Sequence, residues 1–381
     1  MAPNFGPVCG PRVAASQEQT FQTALNEVSR LPKDFPSSLG SDLAWDVTQF
    51  KSDSDYVICL TEEHLREIDV ALEEFKELGL DGDLVRRNNF QLPTLEGELN
   101  HLRHEIHDGK GFGLIRGLEP QRYSVEDLTT IYLGLQSYIA DLQGRQDKKG
   151  NMLVHIIADN STKMKAFHHR HSTSPITFHN EEAGDVVSWL TRSTAAAGGK
   201  CIIASSYAIY NALVASRPDL VRVLARSDWP FALPHFHCRP ILFFHEGRLI
   251  INFGRAALLG SVSHPRPANL PQLTSLQLEA LDAIEAIAKA TQLEIETRAG
   301  DIHLINNLAI LHRREGFVDG SSSMEKRHLV RMRLRDTEKG WDIPPELLQE
   351  WTQAFFLPKL SRIWHIEPMP DGYFPLRSQS N

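Results

Sequence analysis

The 381-residue sequence lacks the features of several protein classes. No stretch reaches the roughly 18 uninterrupted apolar residues of a membrane helix, and residues 1–16 have neither the basic nor the apolar region of a signal peptide. The four cysteines (Cys9, Cys59, Cys201 and Cys238) form no CxxC pair, which argues against a zinc ribbon or a disulfide framework. These absences predict a cytoplasmic protein in a reducing compartment.

Acidic residues also outnumber basic ones. The chain has 40 Lys and Arg against 48 Asp and Glu, a net charge of −8, so no overall positive field favours DNA, RNA or anionic lipid. We therefore expect small molecules as partners rather than nucleic acid or a membrane. The oligomeric state stays open.

Nucleotide-binding and hydrolase motifs are missing as well, since the sequence contains neither a P-loop nor a GxSxG elbow. What precedes residue 150 is helical in pattern. Apolar residues recur with helical spacing from Thr61 to Gly79, from Leu95 to Gly109 and from Ser124 to Leu142, with capping residues at Thr61 and Ser124. Residues 1–40 show no such periodicity and are predicted to form a loosely ordered arm.

After residue 150 the pattern becomes that of β-strands. Short runs rich in Val, Ile and Phe occur at 152–157, 186–190, 241–244 and 249–253, with helices predicted around 207–214 and from a capping box at Thr274 and Gln277. Helices that decorate strands rather than alternate with them disfavour a doubly wound fold. We predict a mainly β protein with surrounding helices, in which residues 41–381 form a single catalytic domain.

One of two His-x-Glu triplets stands in a context that suggests a metal site. About two such triplets are expected by chance from 17 His and 48 acidic residues, so the triplet alone carries no weight. His179 and Glu181, however, end a β-like stretch, and strand alternation places them on one face. His312, 133 residues further on, ends another β-like run. Two His and one carboxylate form the facial triad of non-haem Fe(II) oxygenases.

Two arginines follow in the alternating stretch KRHLVRMRLR. Arg327 and Arg331 are four residues apart, so a strand keeps both guanidinium groups on one face. A guanidinium binds a carboxylate through two parallel hydrogen bonds and stays charged. The order His-x-Glu, distant His and then Arg is therefore more specific than any of its parts.

With these motifs the sequence resembles the taurine dioxygenase-like and clavaminate synthase-like Fe(II)/2-oxoglutarate-dependent oxygenases. The resemblance extends from about Gly111 to Arg335 and includes, in the family's order, GRQDKKGNMLVHI, FHNEEAGDVVSWL, GGKC, INNLAILHRREGF and RHLVRMRLRD. It implies a double-stranded β-helix, or jelly-roll, core over about 111–335.

The same resemblance implies the chemistry of the site. His179, Glu181 and His312 would bind Fe(II), Arg327 would hold the distal carboxylate of 2-oxoglutarate, and Arg331 would line the substrate side. The implied dioxygenase uses O2, with ascorbate compatible as a reductant, and releases succinate and CO2. It oxidises an unactivated C–H bond of a small molecule, an amino acid or other carboxylate, by hydroxylation, desaturation or oxidative cyclisation.

Two positions depart from the family pattern. Glu181 stands where most members of the family have Asp. Its carboxylate carries the same charge at the end of a longer side chain. Cys201, in GGKC, replaces a Thr that helps to hold 2-oxoglutarate in relatives, and a thiol is a poorer hydrogen-bond partner. Either Ser205, four residues on, contributes to 2-oxoglutarate binding, or the cosubstrate is held more weakly.

The sequence also leaves other sites and functions open. His235 and His237 form an HxH pair like that of cupin metal isomerases or lyases, although no glutamate follows at the required distance. His168, His169 and His171 could form a second metal site, which the opposite directions of adjacent strand residues disfavour. A non-catalytic 2-oxoglutarate-binding protein on the same scaffold is a further alternative.

Overall fold

A computed structural model describes residues 31–158, 172–261, 265–357 and 361–368. Three helices lie before residue 150, as predicted: α1 (Glu62–Glu77), α2 (Glu96–His107) and α3 (Val125–Gln136). Three strands, over Val57–Cys59, Phe112–Arg116 and Leu142–Gly144, also lie in this part of the chain. The hydroxyls of Thr61 and Ser124 accept the amides of His64 and Asp127, which gives α1 and α3 the capped starts expected from the sequence. The predicted end of α3 is wrong: the helix stops at Gln136, and Leu142 begins a strand.

A seven-stranded sheet forms the larger layer of the β-rich half. Its strands run in the order β1-β2-β14-β6-β17-β3, with β4 also paired to β17. All pairs are antiparallel except β1 with β2. The strands are β1 (Val57–Cys59), β2 (Phe112–Arg116), β3 (Leu142–Gly144), β4 (Val154–Ile157), β6 (Val186–Ser193), β14 (Ile302–Asn306) and β17 (His328–Arg335).

A four-stranded antiparallel sheet forms the smaller layer, in the order β13-β8-β15-β5. These strands are β5 (Ile176–His179), β8 (Cys201–Ser205), β13 (Leu293–Ile295) and β15 (Ile310–Arg314). Three two-stranded ribbons complete the β structure: β7 (Ala197–Gly198) with β16 (Phe317–Val318), β9 (Pro230–Phe231) with β10 (His237–Cys238), and β11 (Leu242–His245) with β12 (Arg248–Ile251).

The larger sheet separates two hydrophobic cores, because side chains alternate along its strands. Val187 and Trp189 of β6 join a core that includes Ile203 and Leu311 of the smaller sheet. Val186 and Leu190 of the same strand join a second core with α1 to α3. The space between the two sheets, where Trp189 points, is therefore the interior in which a ligand site can form.

Further helices lie outside the two sheets. They are α4 (Ser206–Ser216), α5 (Pro218–Leu224), α6 (Arg255–Leu259), α7 (Ser275–Thr291) and α8 (Leu348–Trp351), which continues as a π-helix over Thr352–Phe356. The predicted capping box starts α7, since the Thr274 amide donates to the Gln277 side chain and the Thr274 hydroxyl accepts the Gln277 amide. Within the described ranges, no helix has the length and apolar character needed to cross a membrane.

The start of the described chain contacts the core. Residues 1–30 of the predicted arm lie outside the described residues, whereas Leu31, Phe35 and Leu39 pack against the first core. The Leu39 amide donates to the Asn211 side chain of α4, and the Tyr210 hydroxyl donates to the Pro36 carbonyl. The predicted domain boundary at residue 40 therefore does not mark a break in packing.

Partly buried histidines form a cluster at the start of β17 that the sequence did not predict. His155 Nδ1 lies 2.9 Å from His328 Nε2, and His155 Nε2 lies 2.5 Å from the His365 carbonyl oxygen. Burial lowers the pKa of His155 to about 4, and burial next to His155 lowers the pKa of His328 well below its usual value. Both rings are therefore neutral in the folded protein near pH 7.

We expect acid to destabilise the fold through this cluster. The unfolded chain protonates these histidines near pH 6.5, whereas folded His155 takes up a proton only near its pKa of about 4. The free energy of unfolding should thus fall as the pH is lowered from about 6.5 to about 4, by on the order of 1 kcal/mol per pH unit for each such histidine. Denaturant unfolding at several pH values measures this slope.

The variant His155→Gln should flatten the slope, while His101→Gln, at an exposed helix position, should leave it unchanged. An equal slope in the wild type and in His155→Gln would contradict the assignment.

Candidate active site

His179 and His312 lie opposite each other on neighbouring strands of the smaller sheet. The β5–β15 register pairs them directly, and their ring centroids are 4.3 Å apart. His179 Nδ1 is 2.9 Å from the Thr177 carbonyl oxygen, a contact that directs its Nε2 away from the strand. Burial beside His179 holds the pKa of His312 well below its usual value, so its ring is neutral, the form that binds metals.

Glu181 does not lie on a strand, because β5 ends at His179. Its position depends instead on Asn180 and Asn307. The Asn307 side chain accepts the Glu181 amide at 2.8 Å and donates to the Glu181 carbonyl at 3.0 Å. The Asn180 side chain donates to the Asn307 carbonyl at 2.7 Å. These bonds tie the His-x-Glu segment to the turn between β14 and β15, three residues before Ile310.

The three predicted ligands converge. One ligand atom each from His179, Glu181 and His312 lie within 4.8 Å of one another, and among the described residues this is the one group of three or more such side chains that could hold a metal ion. His312 Nδ1 is buried without a hydrogen-bond partner in the described part of the chain. Two imidazoles and a carboxylate fit Fe(II), so the donor set suits the predicted cofactor.

Two arginines of β17 hold the carboxylate of Glu181. Arg331 donates to Glu181 Oε1 and, at 3.3 Å, to the Gln146 side chain, while Arg333 Nη2 is 3.7 Å from Glu181 Oε2. Arg331 was predicted, but Arg333 and Gln146 were not. The signal for Arg333 was available, since it is two residues from Arg331 in an alternating strand and shares its face.

A cavity opens beside this group, between the two sheets. Its apolar walls include Ile156, Trp189 and Leu329, and the Trp189 ring lies 5.8 Å from that of His312. Among the described residues, four arginines line the same cavity, namely Arg313, Arg314, Arg327 and Arg331, against one carboxylate, Glu181. The cavity is therefore electropositive and partly apolar.

Arg327 lies in this cavity with Cys201. The Arg327 guanidinium is buried, stands 5.4 Å from the centre of the Phe317 ring and has no carboxylate hydrogen-bonded to it among the described residues. Burial lowers the pKa of Arg327 to about 10, so it stays charged near pH 7. A buried cation without a carboxylate partner fits the distal end of 2-oxoglutarate. Burial raises the pKa of the Cys201 thiol to about 12, so it is protonated.

The structure does not bring Ser205 into the cavity, which corrects the predicted role in 2-oxoglutarate binding. Ser205 ends β8 and is the N-cap of α4: its hydroxyl accepts the amides of Tyr207 and Ala208 and donates to the Leu43 carbonyl. The strand continues to position 205, as the prediction assumed, but the Ser205 hydroxyl is taken up by the start of α4 and by the Leu43 carbonyl, so it does not line the cavity.

The rival histidine sites are not assembled in the described residues. His237 Nδ1 is 2.8 Å from the His235 carbonyl oxygen, and no carboxylate joins the pair as a third ligand. The other His-x-Glu triplet has structural contacts, since His365 is bonded to Asn151 and Glu367 to Arg192. His168, His169 and His171 lie outside the described residues.

We expect Ser205→Ala to affect stability and not ligand binding. Loss of the cap should lower the free energy of unfolding by about 1–2 kcal/mol, since the hydroxyl bonds two helix amides. Thermal unfolding and a 2-oxoglutarate titration measure the two effects. A selective loss of 2-oxoglutarate affinity with unchanged stability would restore the earlier prediction.

Comparison with known sequences agrees with this geometry. The model of the family described as "Taurine catabolism dioxygenase TauD, TfdA family" matches residues 74–333. "Taurine hydroxylase-like protein SAT17" of Stachybotrys chartarum is 35% identical over 345 residues, which cover 87% of this chain and 89% of that protein. FR-33289 synthase of Streptomyces rubellomurinus is 23% identical over 316 residues, 80% of this chain and 91% of that protein.

Solved structures share the fold. Asparagine oxygenase in complex with Fe(II), 2S,3S-3-hydroxyasparagine and succinate superposes with a TM-score of 0.59 at 17% identity, covering 74% of this chain and 93% of that one. The non-heme iron oxygenase OrfP with Fe and alpha-ketoglutaric acid gives a TM-score of 0.53 at 14% identity, covering 73% and 93%. The chain belongs to the TauD, TfdA family and is, as its sequence predicted, an Fe(II)/2-oxoglutarate-dependent dioxygenase with a double-stranded β-helix fold.

Proposed function

We propose that His179, Glu181 and His312 bind Fe(II), that Arg327, next to Cys201, binds the distal carboxylate of 2-oxoglutarate, and that the protein oxidises a C–H bond of an anionic small molecule held by Arg331. The observation that carries this proposal is the convergence of three ligand atoms to within 4.8 Å in a buried cavity. Fe(II) with 2-oxoglutarate and O2 supplies the oxidation, with release of succinate and CO2.

Each protein group has a separate task in this proposal. His179, Glu181 and His312 would hold Fe(II), and a set of three protein ligands would leave positions on the metal for 2-oxoglutarate and O2. Arg331 and Arg333 stabilise the Glu181 carboxylate and fix its direction, which the longer arm of Glu would otherwise leave free. Trp189, Ile156 and Leu329 exclude water, so that one C–H bond of the substrate is presented to the metal.

The charge of the cavity favours an anionic substrate. Arg313 donates to an uncharged acceptor, the Gln292 side chain, so its charge is not cancelled by this bond. With Arg327 assigned to 2-oxoglutarate, positive charge remains for a substrate carboxylate.

An amino acid fits this requirement. The similar structures contain hydroxylated amino acids: 2S,3S-3-hydroxyasparagine in asparagine oxygenase, and (3S)-hydroxy-L-Arg in OrfP. We infer an amino acid or another small carboxylate as the substrate class. Hydroxylation, desaturation and oxidative cyclisation all start from the same C–H oxidation, and substrate placement decides between them.

A first test addresses the metal site. Under anaerobic conditions, Fe(II) and 2-oxoglutarate should together give a visible charge-transfer band, and addition of O2 with a panel of amino acids and small carboxylic acids should release succinate. His312→Ala should abolish both signals because it removes one of three ligands. His235→Ala, at the exposed HxH pair, should leave both intact.

The opposite pattern, loss in His235→Ala alone, would favour the cupin-like alternative. A band without succinate from any substrate would favour the non-catalytic alternative.

A second test addresses substrate charge. Wild-type protein should prefer a carboxylate substrate over its neutral amide analogue, and Arg331→Gln should lose at least about tenfold of this preference in kcat/KM. Because Arg331 also contacts Glu181, Fe(II) affinity must be measured in parallel. Retention of the full preference by a metal-loaded Arg331→Gln variant would show that another group binds the substrate carboxylate.

A further inference from the structure

A second, more polar cavity adjoins the metal cavity. We call it the side cavity. Arg327 and Leu329 line both cavities, and Thr191, Ser193, Thr297 and Lys200 contribute polar groups to the side cavity. The guanidinium of Arg327 thus lies at the common wall, where groups from the side cavity can act on the same ligand.

Among the residues that line the side cavity, Thr191 has an unusual environment. It shares a face of β6 with Val187 and Trp189, whose side chains point between the two sheets, and the β6–β17 register pairs it with Leu329. It is only 1% exposed, yet its hydroxyl has no hydrogen-bond partner among the described residues. Its backbone groups, in contrast, are bonded to Asp301 and Gly300. A buried hydroxyl left without a partner is costly and indicates a ligand.

On the side of the side cavity, the Arg327 side chain packs closely against the backbone of Gly199. Gly199 has a φ of +82°, and a Cβ there would lie 3.2 Å from Arg327 Cδ and 3.3 Å from Arg327 Nε. The glycine of the GGKC motif therefore allows the Arg327 side chain to lie against the backbone. The Asp319 carboxylate accepts a hydrogen bond from the backbone amide of Arg327 at 2.9 Å.

Two other hydroxyl groups near this place have partners of their own. Ser205 caps α4, and the Ser193 hydroxyl donates to the Lys326 carbonyl at 2.5 Å. Cys201 offers only a thiol, which is a weak donor. Among the described residues that line the side cavity with Arg327, Thr191 is the threonine whose hydroxyl is fully buried without a partner, whereas Thr194 and Thr297 are partly exposed.

We propose that the Thr191 hydroxyl, together with Arg327, binds the distal carboxylate of 2-oxoglutarate and so replaces the hydroxyl that Cys201 lacks. This inference rests on the proposed function, since it needs 2-oxoglutarate to bind with its distal carboxylate at Arg327. The hydroxyl donates one charge-assisted hydrogen bond to a carboxylate oxygen, and the guanidinium donates to the same group. Both the buried hydroxyl and the buried cation then gain a partner.

The test compares two 2-oxoacids that differ at the distal end. Dissociation constants of 2-oxoglutarate and of pyruvate, which has no distal carboxylate, are measured by anaerobic titration of the Fe(II)-loaded protein. Thr191→Val keeps the shape and removes the hydroxyl, so it should weaken 2-oxoglutarate binding by about tenfold or more and leave pyruvate binding unchanged. Thr191→Ser keeps a hydroxyl and should restore most of the affinity.

Thr130→Val is the matched control. Thr130 is also buried, but its hydroxyl donates to the Glu126 carbonyl within α3, so its loss should affect stability and neither titration. Unchanged 2-oxoglutarate affinity in Thr191→Val, or an equal loss for both 2-oxoacids, would overturn the proposal. If Thr191→Val does not fold, Thr191→Ala and Thr191→Ser give the same comparison. Failure of the wild type to bind 2-oxoglutarate would instead overturn the proposed function as well.

Discussion

The site depends on the hydrogen bonds that join Asn180 and Glu181 to Asn307. They connect a short segment after β5 to the turn between β14 and β15, two parts of the chain that are 127 residues apart. Because His179 precedes this connection by one residue and His312 follows it by five, both rings are brought to one place by the same contact. Glu181 is held through its own backbone, which leaves its carboxylate free to turn toward the imidazoles.

The arginines of β17 determine the electrostatics of this arrangement. Arg331 and Arg333 lie beside Glu181, so the negative charge of the buried carboxylate is compensated within the protein. Arg327, the residue directly before β17, has no such carboxylate among the described residues. In the proposed site, β17 and the residue before it would therefore supply both the support of a metal ligand and a cationic site for an anion. The Thr191 hydroxyl extends that second site across the wall to β6.

Much of this could be predicted from local patterns. The capped starts of α1, α3 and α7 follow from Thr61, Ser124 and Thr274, since capping depends on a few neighbouring residues. The order of His179, Glu181, His312 and Arg327 predicted the enzyme class, which the family match confirms. The separate roles of these residues and of Arg331 and Cys201 stay predictions, although the structure brings them together in one cavity.

What could not be predicted depends on contacts between distant segments. The end of α3 at Gln136 and the turn of Ser205 into α4 are decided by packing, against which strand or helix periodicity is a weak guide. Thr191 shows no signal in its sequence context. Among the buried threonines of the described ranges, the register of β6 against β17 and the lack of a partner for its hydroxyl distinguish Thr191.

Crystals grown without oxygen in the presence of Fe(II) and 2-oxoglutarate, with anomalous diffraction recorded at the iron edge, test the convergence of the three ligands. We expect a single strong peak within coordination distance of His179, Glu181 and His312, on the cavity side of the smaller sheet. A peak bound to other residues, such as His235 and His237, or side chains of the three residues that do not meet at any peak, would contradict it.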